Sequence, residues 1–455
     1  MHPPTREEVQ SLHHDLLAER LGYALRLGNH HGDASLLREA LQRTHRAHLR
    51  RRGIPDAEMS RIVPAFPPGP HPLPGFGARK IFALLIEFQD HQHVNSEQAV
   101  AEALFGRSEV GGTSLAAYYD RSSYSQLDLY GGTTLGWYSA PYPRGAVDPS
   151  DAGRDHLIKE ALQHCHSKGH SFRQYDTNGD GMVDFFIVLW AGKDTGWATF
   201  WWAYQPGFSD ESFSLDGVRF GKYAWTWESS PVGSAFDPAT AIHETGHALG
   251  LPDYYDYDNT KGARGGLGGL DMMDSARYDH NCFSKWLLGW LDPRIVTGSS
   301  ELIVLGPSET SKDCVLIWPK VGPDFQFGEC FMVENRQKLG NDEALPGQGL
   351  VIWHVDARLE GDDFVCNNSF TDHKLLRLME ADGLEEIEAG GLADAEDFYR
   401  AGMSFGCDTV PSSNGYNNQA SGLEVKNISA EGARMSATFA VAPAFATVLP
   451  RNPGG

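Results

Sequence analysis

Long apolar runs are missing from this 455-residue chain: no stretch approaches the ~20 residues that cross a bilayer, which excludes a helical membrane span. Basic side chains are scarce as well. Lys and Arg number 38 against 60 Asp and Glu, for a formal net charge of −22. Phosphate recognition needs clustered cations, so this balance argues against nucleic acid as a partner. What positive charge there is gathers early: residues 1–62 hold ten Arg against eight acidic residues, leaving −24 for the remainder. Such an acidic body suits an exported enzyme stabilised by cations. The six cysteines (Cys165, Cys282, Cys314, Cys330, Cys366 and Cys407) include no CxxC pair, which argues against a cysteine zinc site or a thioredoxin-like motif. Their even number allows three disulfides or, equally, buried thiols. The opening MHPPTREEVQ lacks an apolar signal core, so a secretory leader is expected to be absent or removed.

What is present is a globular composition, 41% hydrophobic and 22% charged, in a chain long enough for two or three domains. Its most informative stretch is AIHETGHALGLPDYYD, residues 241–256. His243 and His247 are four apart, so on a helix both imidazoles leave one face. A divalent metal takes neutral imidazole nitrogens at about 2.0–2.1 Å. Glu244, beside the first histidine, can hold a water and take its proton. Asp237 is a good N-cap and Pro238 suits the first helical position. Gly250 permits a sharp turn and Pro252 stops the helix from resuming. That reversal can return Asp253 as a third ligand with a fourth position left open, the mark of a catalytic zinc. HExxH alone occurs by chance in surface helices; the extended HExxHxxGxxD is far more specific.

A second stretch, DTNGDGMVD, alternates the oxygen-bearing Asp176, Asn178, Asp180 and Asp184 around a tight turn. Ca²⁺ prefers oxygen ligands in such a loop. An EF-hand is excluded because Ile187 stands at the twelfth position, and an Asx-rich hairpin without metal is the competing reading. Along the chain, residues 5–52 read as helical. RTHRAHLRRR (43–52) reads as a solvated helix face, and His13, His14, His30, His31, His45 and His48 as surface residues. VPAFPPGPHPLPGFG (63–77) is a Pro/Gly linker. ARKIFALLIEFQD and FFIVLWAG read as buried strands, Gly153 to Ser167 and Phe283 to Leu291 as helices. Past Pro293 short alternating strands give a β-rich region. The expected fold class is α+β, with domains at 1–62 (helical), 78–295 and 296–445 (β-rich), and a tail at 446–455. No internal repeat or low-complexity block interrupts this plan.

HETGHALGLPDYYD, YDTNGDGMVDFFIVLWAG, LDMMDS, FSKWLLGWLDP, MVENRQ, LPGQGLVIWHVD and MEADG together resemble the M6 family of metallopeptidases, the immune inhibitor A-like group, over roughly residues 79–440. The resemblance implies a zincin-like catalytic domain, a twisted sheet above an active-site helix. It implies a secreted zinc endopeptidase acting on proteins or peptides, with zinc on His243, His247 and Asp253 and with Glu244 as general base. Met273 would be the methionine of the turn beneath the metal. Tyr278 is the first candidate for oxyanion donor, with Tyr254 and His280 behind it. Asp271 or Asp274 could orient a ligand histidine or cap a turn. The N-terminal residues could be a pro-segment; one that blocks zinc through a cysteine is excluded, because the first cysteine is Cys165, and Asp33, Asp56 or a histidine would have to serve instead. The alternatives are a catalytically silent zincin-fold binding protein and another zinc hydrolase, an aminopeptidase or amidase.

Overall fold

The structure, a computed structural model, describes residues 32–51, 53–63, 73–107, 113–195, 200–229, 235–256, 266–298, 300–318, 329–360, 363–364, 368 and 373–442. The expected helix over 5–31, Cys366 and the tail lie outside these residues. The chain forms two compact units, one from the described residues of 73–252 and the other from 32–63 with 253–442. Helices and sheets are mixed throughout, an α+β protein.

The second unit begins with α1 (Ala34–Arg51) and α2 (Asp56–Ile62). Leu36, Leu37, Ala40, Thr44, His45 and Leu49 give α1 one buried face at helical spacing. The basic run is less solvated than its composition implies. Arg43 donates to the carbonyls of Trp286 (2.5 Å) and Leu287 (3.4 Å), and Arg46 donates to that of Val63. The Trp286 indole donates to Thr44 Oγ1 at 2.8 Å. His45 is buried too, and desolvation lowers its pKa to about 4. Neither could be read as surface once a partner 240 residues away covered that face.

In the first unit a four-stranded sheet runs in the order β2–β1–β3–β4, with β1 (Phe82–Glu87), β2 (Thr133–Ser139), β3 (Phe186–Lys193) and β4 (Tyr223–Ser229) all parallel. Every residue of β1 and β4 is buried, as expected for strands covered on both faces. Aromatic rings meet across the register: Phe82 on Phe186 and Phe186 on Tyr223, with centroids 5.1 and 5.0 Å apart. The crossovers carry α3 (Glu97–Phe105), α4 (Leu115–Ser122) and α5 (Asp151–Ser167), each N-capped by a serine side chain. The last helix, α6 (Ala239–Ala248), packs on β4 and α4.

In the second unit α7 (Met272–Ser275) and α8 (Cys282–Leu287) precede two sheets. One, in the order β5–β7–β8–β9–β10, holds β5 (Arg294–Val296), β7 (Val315–Ile317), β8 (Cys330–Arg336), β9 (Gly349–Val355) and β10 (Leu376–Leu378). The other is antiparallel: β6 (Glu301–Leu305), β13 (Met435–Val441), β12 (Leu423–Lys426) and β11 (Phe405–Gly406). Val315, Val333 and Ile352 of the first share one core with Ile303, Val425 and Phe439 of the second, the interdigitation of a sandwich. Of the cysteines, Cys165, Cys282, Cys314, Cys330 and Cys407 are free thiols, so the three-disulfide reading does not hold among the described residues.

Candidate metal centre

The segment expected to be helical is helical, for local reasons. The N-cap falls on Pro238, one residue later than expected: its carbonyl takes the first intrahelical bond, from Ile242 N at 2.8 Å, while Asp237 Oδ1 still accepts from Ala239 N at 3.0 Å. The other end closes as a Schellman turn. Leu251 N returns to the Gly246 carbonyl (3.0 Å), Gly250 N bonds that of His247 (2.9 Å), and Gly250 has φ +101°. A side chain at Gly250 would be strained there. Neighbours fix the helix from its flanks: the Tyr119 hydroxyl donates to the Ile242 carbonyl at 2.6 Å and Gln205 Nε2 to that of Glu244 at 3.3 Å.

His243, His247 and Asp253 come together. Each offers a ligand atom, all within 4.8 Å of one another, and all three residues are buried. The imidazoles lie with centroids 4.8 Å apart and planes at 88°. His247 Nδ1 is 2.8 Å from the Leu251 carbonyl. A carbonyl only accepts, so Nδ1 carries the proton and Nε2 keeps its lone pair for a metal. Two imidazoles and a carboxylate are a zinc donor set, and Glu244, fully buried on the same helix, lies next in sequence to His243. The residues present fit the metal.

Of the two roles open to Asp271 and Asp274, the hydrogen bonds support the capping one. Asp271 caps α7 through Met273 N at 2.7 Å, and its other oxygen takes both the main-chain and side-chain N–H of Asn281, each at 2.7 Å. Asp274 accepts from Gly269 N at 2.6 Å, and burial raises its pKa to about 7. Both therefore hold turns; the acceptor that meets the His247 ring is a backbone carbonyl, which no side-chain pattern announces. Met273 is fully buried, and its carbonyl accepts from Tyr254 N, one residue past Asp253, at 2.9 Å. The Tyr278 hydroxyl donates to the Ala344 carbonyl at 3.1 Å, and the Tyr254 hydroxyl is paired with Ser284 at 2.7 Å.

The Asp176 loop satisfies itself. Asp176 takes the N–H groups of Gly179, Asp180 and Gly181; Asn178 Oδ1 takes that of Asp180; Asp180 takes that of Met182 at 2.8 Å. Asp184 is buried and bonds both the N–H and hydroxyl of Thr177. These are Asx turns, and no three carboxylates of this loop converge.

The chain is similar to immune inhibitor A of Bacillus thuringiensis subsp. alesti, with 24% identity over 234 residues, 40% of this chain and 34% of that relative. The name agrees with the family that the motifs resemble. The chain thus spans about a third of that relative's length. No family model matches the chain.

Proposed function

We propose that this protein is a zinc-dependent endopeptidase with a zincin-like catalytic region, secreted, and acting on proteins or peptides. The observation that carries the reading is the convergence of His243 and His247, on the helix that also bears Glu244, with Asp253 from the turn that follows it. Those three side chains would hold Zn²⁺, which when bound lowers the pKa of a water toward 7 and polarises a carbonyl. Glu244 is the proton carrier: it takes the proton of the attacking water and delivers it to the leaving amine. The Leu251 carbonyl keeps the His247 ring in its metal-facing tautomer. Met273 is the packing floor of the turn. Tyr278 serves as oxyanion donor in this proposal on condition that its hydroxyl leaves the Ala344 carbonyl. The domain division at 78–295 and 296–445 and a Ca²⁺ at Asp176, Asn178, Asp180 and Asp184 belong to the same proposal.

Cleavage of casein by the purified protein and by Glu244→Ala, with elemental analysis of both, tests it. The expected outcome is equal zinc in the two and a loss of roughly 10²–10⁴-fold in rate for the variant. Zinc without cleavage in the unsubstituted protein, even after limited proteolysis, would mean a silent zincin fold.

A further inference from the structure

Two turns of the second unit bring three acidic side chains into one small space. The first follows β10 in the run MEADGLEEI (379–387), and the second is ADAEDFY (393–399). Glu380, Asp382 and Asp397 each present an oxygen there, all within 4.8 Å of one another. Glu380 and Asp397 are each only 2% exposed. Each spends one oxygen on the local backbone: Glu380 Oε2 accepts from Glu386 N at 2.6 Å, and Asp397 Oδ2 from Asp394 N at 2.7 Å. Their remaining oxygens, Glu380 Oε1 and Asp397 Oδ1, are buried without a hydrogen-bond partner among the described residues. Asp382 lends Oδ1 to Leu384 N at 3.0 Å.

A different kind of group adds to this. Tyr399, 1% exposed, has a hydroxyl that is likewise buried without a partner among the described residues, and that hydroxyl lies within the field of Asp397 and Asp382. The base that Glu380 feels is Arg377, which is already paired with Glu385 at 2.9 Å and Glu388 at 3.3 Å. Carboxylates taken out of water side by side repel one another and lose their hydration. Burial first, and then the neighbouring Glu380, Asp394 and Asp382, lift Asp397 to about 7. Among the described residues Arg377 is thus engaged by other carboxylates, whereas oxygens gathered this closely are what a hard cation requires.

We propose that Glu380, Asp382 and Asp397 form a divalent-cation site of the Ca²⁺ type, separate from α6 and from the Asp176 loop. An all-oxygen donor set selects Ca²⁺ over zinc. Ligands from two irregular turns suit the flexible shell of Ca²⁺ better than the strict octahedron of Mg²⁺. The ion ties the 379–387 turn to the 394–399 turn, which are otherwise joined by the bond from Ala381 N to the Asp397 carbonyl at 3.3 Å.

The test is calorimetric titration of the chelator-stripped full chain with Ca²⁺ alone, and with Mg²⁺ alone for comparison, paired with melting curves. The double variant Glu380→Gln/Asp397→Asn is expected to bind one Ca²⁺ fewer per chain and to lose most of the Ca²⁺-induced rise in Tm. Its Ca²⁺-free Tm should equal or exceed that of the stripped parent, because two like charges are gone. Asp180→Ala should leave this equivalent intact, which separates the site from the Asp176 loop. Unchanged stoichiometry with an unchanged rise in Tm overturns the proposal, as does tighter binding of Mg²⁺ than of Ca²⁺. Should the double variant fail to fold, Asp382→Asn on the more open side should weaken Ca²⁺ at least tenfold; an unaltered affinity overturns the assignment.

Discussion

The two units bury apolar area and charge in different arrangements. In the first, parallel strands bury Phe82, Phe186, Trp190, Tyr223 and Trp225 in stacked rows, and the buried Arg154 donates to the Tyr223 hydroxyl among those rings. In the second, fully buried charges stand behind the sandwich. Arg336 forks onto Asp342 (2.8 and 2.5 Å) and donates to the carbonyls of Leu270 and Asp279, while Lys285 meets Asp279 at 2.6 Å. Glu334 takes the Trp353 indole N–H at 2.7 Å. Apolar burial tolerates any partner of similar shape, whereas a buried ion requires one geometry and penalises every other. The first unit is therefore expected to yield gradually to truncation and the second abruptly.

The largest effect should come from Arg336→Ala, which strands Asp342 in the interior and is expected to cost about 3–5 kcal/mol in urea unfolding. Replacing both partners with apolar residues of similar size should cost far less. A double variant as damaging as the single one would show that the network stabilises more than an apolar filling. Leu84→Ala in β1, where the residue is completely buried, should cost about 2–5 kcal/mol by the same measurement. A third comparison uses pH. Burial and neighbouring Asp342 raise Glu309 to about 9. A carboxyl whose pKa is raised on folding favours the folded state fully below its unfolded value, and that contribution fades as pH rises toward 9. Glu309→Gln should therefore gain Tm relative to the parent between pH 5 and pH 9; a constant difference would place Glu309 in its ordinary range. The smallest effect belongs to the first unit: Asp237→Ala should cost about 1 kcal/mol through the lost cap.

The same contrast sets what could be read from the sequence. The strands of the first unit and both ends of α6 were legible because their signals are local: unbroken apolar runs, an Asp–Pro start, a Gly–Leu–Pro stop. The grouping of His243, His247 and Asp253 followed from that turn, since eleven consecutive residues hold all three. The second unit hid more. Arg43 reads as solvated until the Trp286 and Leu287 carbonyls cover it, and His45 with it. Asp271 and Asp274 flank Met272 and Met273 in either reading, and only the fold distinguishes a cap from a hydrogen-bond acceptor for histidine. Glu380 and Asp397 are seventeen residues apart, in turns whose acidity looks like ordinary surface composition. Their alternation, ExD in one turn and DxxD in the other, is the signal that could have been followed.

The turn at Gly250 does more than reverse the chain. Leu251, which closes the last coil of α6 through its N–H, also holds the His247 ring through its carbonyl. Loosening that coil would release the imidazole in the same motion, so ring and helix terminus behave as a single mechanical part. Hydrogen exchange at the Leu251 amide is then a direct gauge of how long the histidine stays aimed.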